Sequence, residues 1–116
     1  MSELKFELSF PGSTLADANE LCAEVLERLG IEVPDCAVSR VRSNERNQDF
    51  GAILAIVLGS AAVKALVTEI SKFAMRRYGT SLEMQRVDSK GKERRIVVKG
   101  PVGDDVKEMM LEFFED

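Results

Sequence analysis

The stretch "FGAILAIVLGSAAVKALVTEISKFAMRRYG", residues 50–79, opens as an almost unbroken apolar run and closes on paired arginines, and its reading decides the fold. It runs without proline to Tyr78 and Gly79, where glycine can supply a helix C-cap. Taken as one element it predicts a helix of roughly thirty residues, about 45 Å long at 1.5 Å per residue. Gly59 and Ser60 mark the expected kink, since glycine weakens a helix interior by up to about 1 kcal/mol relative to alanine. In its second half Ile70, Phe73 and Ala74 would face inward, with Lys72, Arg76 and Arg77 outward.

Such a helix has three uses. As a membrane span it falls short: only the fourteen residues 50–63 lie uncharged between Asp49 and Lys64, whereas a bilayer needs about 20. Extension to Met75 takes in Lys64, Glu69 and Lys72, each costing roughly 2.5–3.5 kcal/mol near a bilayer centre. A membrane-acting role for residues 50–75 therefore stands only as the alternative, with insertion following assembly. The plainer use is a core helix. The third is an assembly surface, because Gly51, Ala55, Gly59 and Ala62 fall about four apart and would form a smooth ridge for another helix.

Before this stretch, Leu4, Phe6, Leu8 and Phe10 alternate with polar residues in "ELKFELSF", the period of a strand with one buried face. Thr14 and Asp17 resemble a capping box opening a helix through Leu29, closed by Gly30, with Leu15, Ala18, Cys22, Val25, Leu26 and Leu29 as its core stripe. "CAVSRVR" reads as a second strand with Arg40 and Arg42 toward solvent. After the stretch, "SLEMQRVD" and "ERRIVVK" flank "SKGK" as a hairpin in which Leu82 and Met84 meet Ile96 and Val98. A last helix follows "GPVGDD", with Val106, Met109, Met110 and Phe113 inward and Leu111 and Phe114 elsewhere. The expected fold is α+β, one domain over residues 1–116: a small mixed sheet of about four strands with helices packed on it, in the order β-α-β-long α-β-β-α.

Composition narrows the function classes. A chain of 116 residues with 45% hydrophobic and 31% charged residues suits one globular core. Its net charge of -4 gives no global pull toward nucleic acid. The chain has no histidine, so Ser/His/Asp and Cys/His catalytic sets cannot be built, and Cys22 and Cys36, without a C-x-x-C pair, lack the usual zinc partners. No enzyme activity, metal or cofactor is expected. Both cysteines read as reduced and the N-terminal stretch has no apolar signal segment, so a cytoplasmic location is expected.

The one local electrostatic feature is a basic hairpin, with Lys90, Lys92, Arg94, Arg95 and Lys99. It lacks interleaved aromatics for base stacking, which counts against nucleic acid. With Glu20, Glu24 and Glu27 on the first helix it suggests head-to-tail pairing between copies through Arg94 and Arg95.

The N-terminal "LKFELSF" and the segment "AILAIVLGSAAVKALVTEISKFAMRRYGTSLEMQRVDSKGKERRIVVKG" together resemble the effector-associated constant component family of bacterial conflict systems. The resemblance lies in the order and spacing of an apolar helix with an "LGS" break, a basic "RR" end, a strand, a hairpin turn, a second strand and a closing helix. It implies a non-enzymatic adaptor that accompanies variable effectors, such as caspase-like peptidases, in defence or programmed death. Gly59, Ser60, Arg76 and Arg77 match its recurrent positions, and no catalytic residues carry over. The expected partners are an effector protein such as a protease and other copies of the chain.

Overall fold

Leu4, Phe6 and Leu8 on the first strand lie opposite Leu58, Ile56 and Leu54, and these pairs form the middle of the core. The computed structural model describes residues 3–42, 52–77 and 79–115. In chain order the elements are β1 (Glu3–Ser9), α1 (Leu15–Glu32), β2 (Cys36–Arg42), β3 (Ala52–Gly59), a 3₁₀ turn (Ser60–Ala62), α2 (Val63–Arg76), β4 (Ser81–Val87), β5 (Glu93–Lys99) and α3 (Asp104–Phe113). The strands form one antiparallel sheet in the order β2-β3-β1-β4-β5. The first four strands with α1 and α2 make the split β-α-β arrangement of a ferredoxin-like fold, extended by β5 and α3.

The α+β class is as the sequence predicts, but the long helix is not there. Residues 52–59 are a strand between β1 and β2, and only residues 63–76 are α-helical. The physical reason is that both β1 and β2 supply hydrogen-bonding ladders to this run. Leu54, Ile56 and Leu58, each at most 1% exposed, face the helices, while Ile53, Ala55 and Val57 point to the opposite side and are half-buried. An apolar run of eight suits a buried strand. Gly59 and Ser60 mark the change from strand to 3₁₀ turn instead of a kink within one helix. The sheet therefore has five strands rather than four and is purely antiparallel rather than mixed. Among the described residues no helix is long and apolar enough to cross a membrane, which removes the premise of the inserting helix 50–75.

The helices cover one face of the sheet. The Thr14 hydroxyl accepts from the Asp17 N–H at 3.1 Å and caps α1. That helix continues through Gly30 to Glu32, three residues beyond the predicted Leu29, and Val33 closes it by donating to the Leu29 carbonyl. Of the predicted stripe, Ala18, Cys22, Val25 and Leu29 are buried and Leu21 joins them, whereas Leu15 and Leu26 are exposed. On α2, Ile70, Phe73 and Ala74 are buried and Lys72, Arg76 and Arg77 exposed, as their spacing predicts. On α3 Met110, Phe113 and Phe114 are buried, Val106 and also Leu111 pack half-buried against the core, and Met109 lies outside. Phe114 stacks edge-on against Phe6 at 5.1 Å, which is why it is buried rather than a free sticky residue. The hairpin pairs as read, Leu82 opposite Val98 and Met84 opposite Ile96.

Candidate interaction surface

Three helices on one side leave the other side of the sheet without a covering element among the described residues. Strand period two sends every second residue there. One row across all five strands reads Ser39, Ala55, Glu7, Gln85, Arg95. On one side of it Ala37 lies opposite Val57, Val57 opposite Lys5, and Val87 opposite Glu93. On the other side Val41 lies opposite Ile53, and Ser9 opposite Glu83, which faces Val97. The β2–β3 half of the face is thus mostly small and apolar, and the β1–β5 half carries alternating charge.

Ala55, Val57, Gln85 and Val87 form the floor of a groove of about 660 Å³, and Lys5, Glu7, Glu93 and Arg95 stand along it. Lys5, Glu7 and Glu93 make no ion pair with another described residue. Arg95 approaches the nearly buried Glu83 carboxylate at 3.6 Å, and Gln85 Nε2 donates to the other Glu83 oxygen at 2.8 Å.

The pleat separates the two arginines grouped by sequence. Arg95 lies on the open face, and its neighbour Arg94 on the helix side. There Arg94 Nε donates to Asp88 Oδ2 at 3.1 Å and Nη1 to the Glu112 carbonyl at 3.2 Å. Asp88 also accepts at 2.9 Å from the backbone N–H groups of Lys90 and Lys92, closing the hairpin turn. The Lys92 N–H, with help from Arg94 and the Lys90 N–H, holds the Asp88 carboxyl below its ordinary pKa. Arg94 is therefore occupied within the chain.

The remaining predicted surface residues scatter. Ala55 lies on the open face at the middle of β3, Gly59 ends that strand, Ala62 is buried in the 3₁₀ turn, and Gly51 lies outside the described residues. The four-residue ridge needs a helix that the strand replaces. Arg76 is exposed at the end of α2. Arg77 Nη2 donates to Glu24 Oε1 at 2.6 Å, tying α2 to α1 and raising the Arg77 pKa through that bond. Glu24, proposed for pairing between copies, is thus engaged by its own chain. Burial raises both thiols, Cys22 and Cys36. Among the described residues no group of three His, Cys, Asp or Glu side chains is placed to hold a metal ion.

A helix over residues 52–59 has no place in this face, so the face is not legible in the sequence. Hydropathy gives no period there, because Ile53, Ala55 and Val57 are as apolar as Leu54, Ile56 and Leu58. The separation of Arg94 from Arg95 is legible, since both sit in a segment with strand period.

No family model matches the chain, and no curated protein matches it. Among solved structures, a de novo designed protein with ferredoxin fold, determined by solution NMR, is 16% identical with a TM-score of 0.44, and the match covers 90% of each chain.

Proposed function

We propose that the chain is a non-enzymatic adaptor or regulatory component of a bacterial defence or programmed-death system, working with effector proteins such as caspase-like peptidases. The reading takes its biological setting from the family resemblance in "LKFELSF" and in the segment from Ala52 to Gly100. The observation that carries the physical part is the open sheet face, where Val41, Ile53, Ala55 and Val57 form an apolar strip beside alternating charges. An exposed apolar strip bordered by charged residues is a surface that suits a protein partner. Recruitment through such a face needs complementary surfaces and no bond-making chemistry.

The test is a binding measurement with a purified caspase-like peptidase effector of a bacterial defence system. Wild-type protein should co-elute with the peptidase as a complex of defined light-scattering mass, and Ala55→Glu should not. Failure of the folded wild-type chain to form any complex would sink the adaptor reading.

A further inference from the structure

We infer that the open face is the contact between two copies of this chain, stacked sheet to sheet about a two-fold axis that lies in the interface and runs across the strands. This rests on the adaptor reading for its purpose, with an effector displacing the second copy from the same face, but on the charge pattern for its geometry. On β1, Lys5 and Glu7 are adjacent along the open face; on β5, Glu93 and Arg95 are adjacent in the same way. β1 and β5 both run antiparallel to β4, so the two strands point the same way and the charges alternate in both dimensions. Cation and anion stand at Lys5 and Glu93 in one row, then anion and cation at Glu7 and Arg95 in the next.

Such a pattern is its own complement. An isologous contact requires that when one residue meets a second, the second also meets the first. A two-fold axis between the two rows places Lys5 over Glu7 of the second copy and Glu93 over Arg95 of the second copy, each contact occurring twice. The same operation places Ala55 against Val57 and Gln85 against Val87. No like charges meet.

Area selects this axis over one along β4, which would also match the charges. Five strands about 4.8 Å apart and roughly 23 Å long present a projected face of about 550 Å², and more as corrugated accessible surface. Stacking each strand on its own copy covers β1 and β3 over nearly their whole length, together with the parts of β2, β4 and β5 nearest the two charged rows, and so buries more of the face than the alternative. An axis along β4 would stack only β1, β4 and β5, leaving the apolar residues of β2 and β3 uncovered. Two sheets packed in this aligned manner are a familiar sandwich.

The experiment is the light-scattering mass of the purified chain alone over a concentration series, for wild type, Glu7→Lys, Lys5→Glu with Glu7→Lys, and Ala55→Glu. Wild type should be a dimer. Glu7→Lys turns both Lys5 contacts into lysine pairs and should weaken the dimer by roughly tenfold or more. The double exchange rebuilds the pairs with reversed sign and should restore dimerisation. Ala55→Glu should be monomeric, and it serves as the second disruption if the Glu7 variants fold poorly. A wild-type chain monomeric at every concentration overturns the inference. So does a dimer indifferent to both Glu7→Lys and Ala55→Glu, or a folded double exchange no better than Glu7→Lys. Because no effector is present, a negative result here leaves the adaptor reading to its own binding test.

Discussion

Arg86 Nη1 donates to the Phe113 carbonyl at 3.0 Å, so a buried cation on β4 caps the C-terminal end of α3. The same nitrogen reaches the Glu115 carbonyl at 3.4 Å. The last carbonyls of a helix have no partners within it, and a cation there satisfies both their hydrogen bonding and the negative end of the helix dipole. Arg94, reaching the Glu112 carbonyl, adds a second donor from the neighbouring strand. The basic hairpin is therefore in part an internal clamp for the closing helix. Arg86→Ala should lower the unfolding free energy by about 2–3 kcal/mol, because buried carbonyls lose a charged donor. Urea titration followed by circular dichroism reads this directly, and an unchanged midpoint would contradict the clamp.

Asp88 gives the hairpin a pH dependence of known sign. Its carboxyl titrates below its ordinary value because the ionised form accepts from the Lys92 and Lys90 N–H groups and pairs with Arg94. A carboxylate with a depressed folded pKa contributes stability that is fully present above its unfolded pKa and disappears as pH falls through the folded value. Asp88→Asn keeps an acceptor for the turn but sets an amide against Arg94. Its denaturation midpoint should lie below that of wild type near neutral pH. The gap should close as pH falls below about 4. A gap that widens on acidification would reverse the assignment.

The strand at residues 52–59 predicts an alternation in mutational cost that a helix would not give. Ile56 is fully buried against the helices, and Ile56→Ala should cost about 2–5 kcal/mol. Its neighbour Val57 points to the open face, and Val57→Thr should change stability by about 0.5 kcal/mol or less. Cost should be high again at Leu54 and Leu58 and low at Ala55. Equal costs at Ile56 and Val57 would argue against a strand with one face open.

How much of this was legible turns on the same residues. Strand β1 could be read because charge alternates with Leu4, Phe6 and Leu8, and the β4–β5 register because its apolar positions share one parity. The Thr14 cap could be read from side-chain chemistry alone. β3 could not, because Ile53, Ala55 and Val57 are themselves apolar, so hydropathy carries no period there. What makes the segment a strand is pairing with β1 and β2, two long-range contacts that no local window contains. The candidate surface was lost with it, since a face exists only once the strands that compose it are in register. Phe114 was misplaced for a related reason: its burial depends on Phe6, more than a hundred residues away in the chain.

Gly100 joins β5 to α3, and a Cβ built there would stand 2.6 Å from the Ala74 carbonyl oxygen and 3.3 Å from its carbon. Both atoms belong to the backbone of α2, so neither can swing aside as a flexible side chain would. Glycine is needed here for space, allowing the chain leaving the edge strand to pass directly over α2 before α3 begins. The Val102 N–H, two residues on, donates toward the Met75 sulfur at 3.4 Å and holds the crossing against the same helix. Gly100→Ala must push the connection or the helix outward, and overpacking of this kind costs about 1–3 kcal/mol. The loss should appear as a lower urea midpoint with an unchanged slope, because the strain acts on the folded chain and leaves the surface exposed on unfolding as it was. Gly30→Ala is the matched control: that glycine lies within α1 with open space around it, and alanine there should stabilise the helix by up to about 1 kcal/mol. Equal shifts in the two variants would show that α2 does not constrain the crossing.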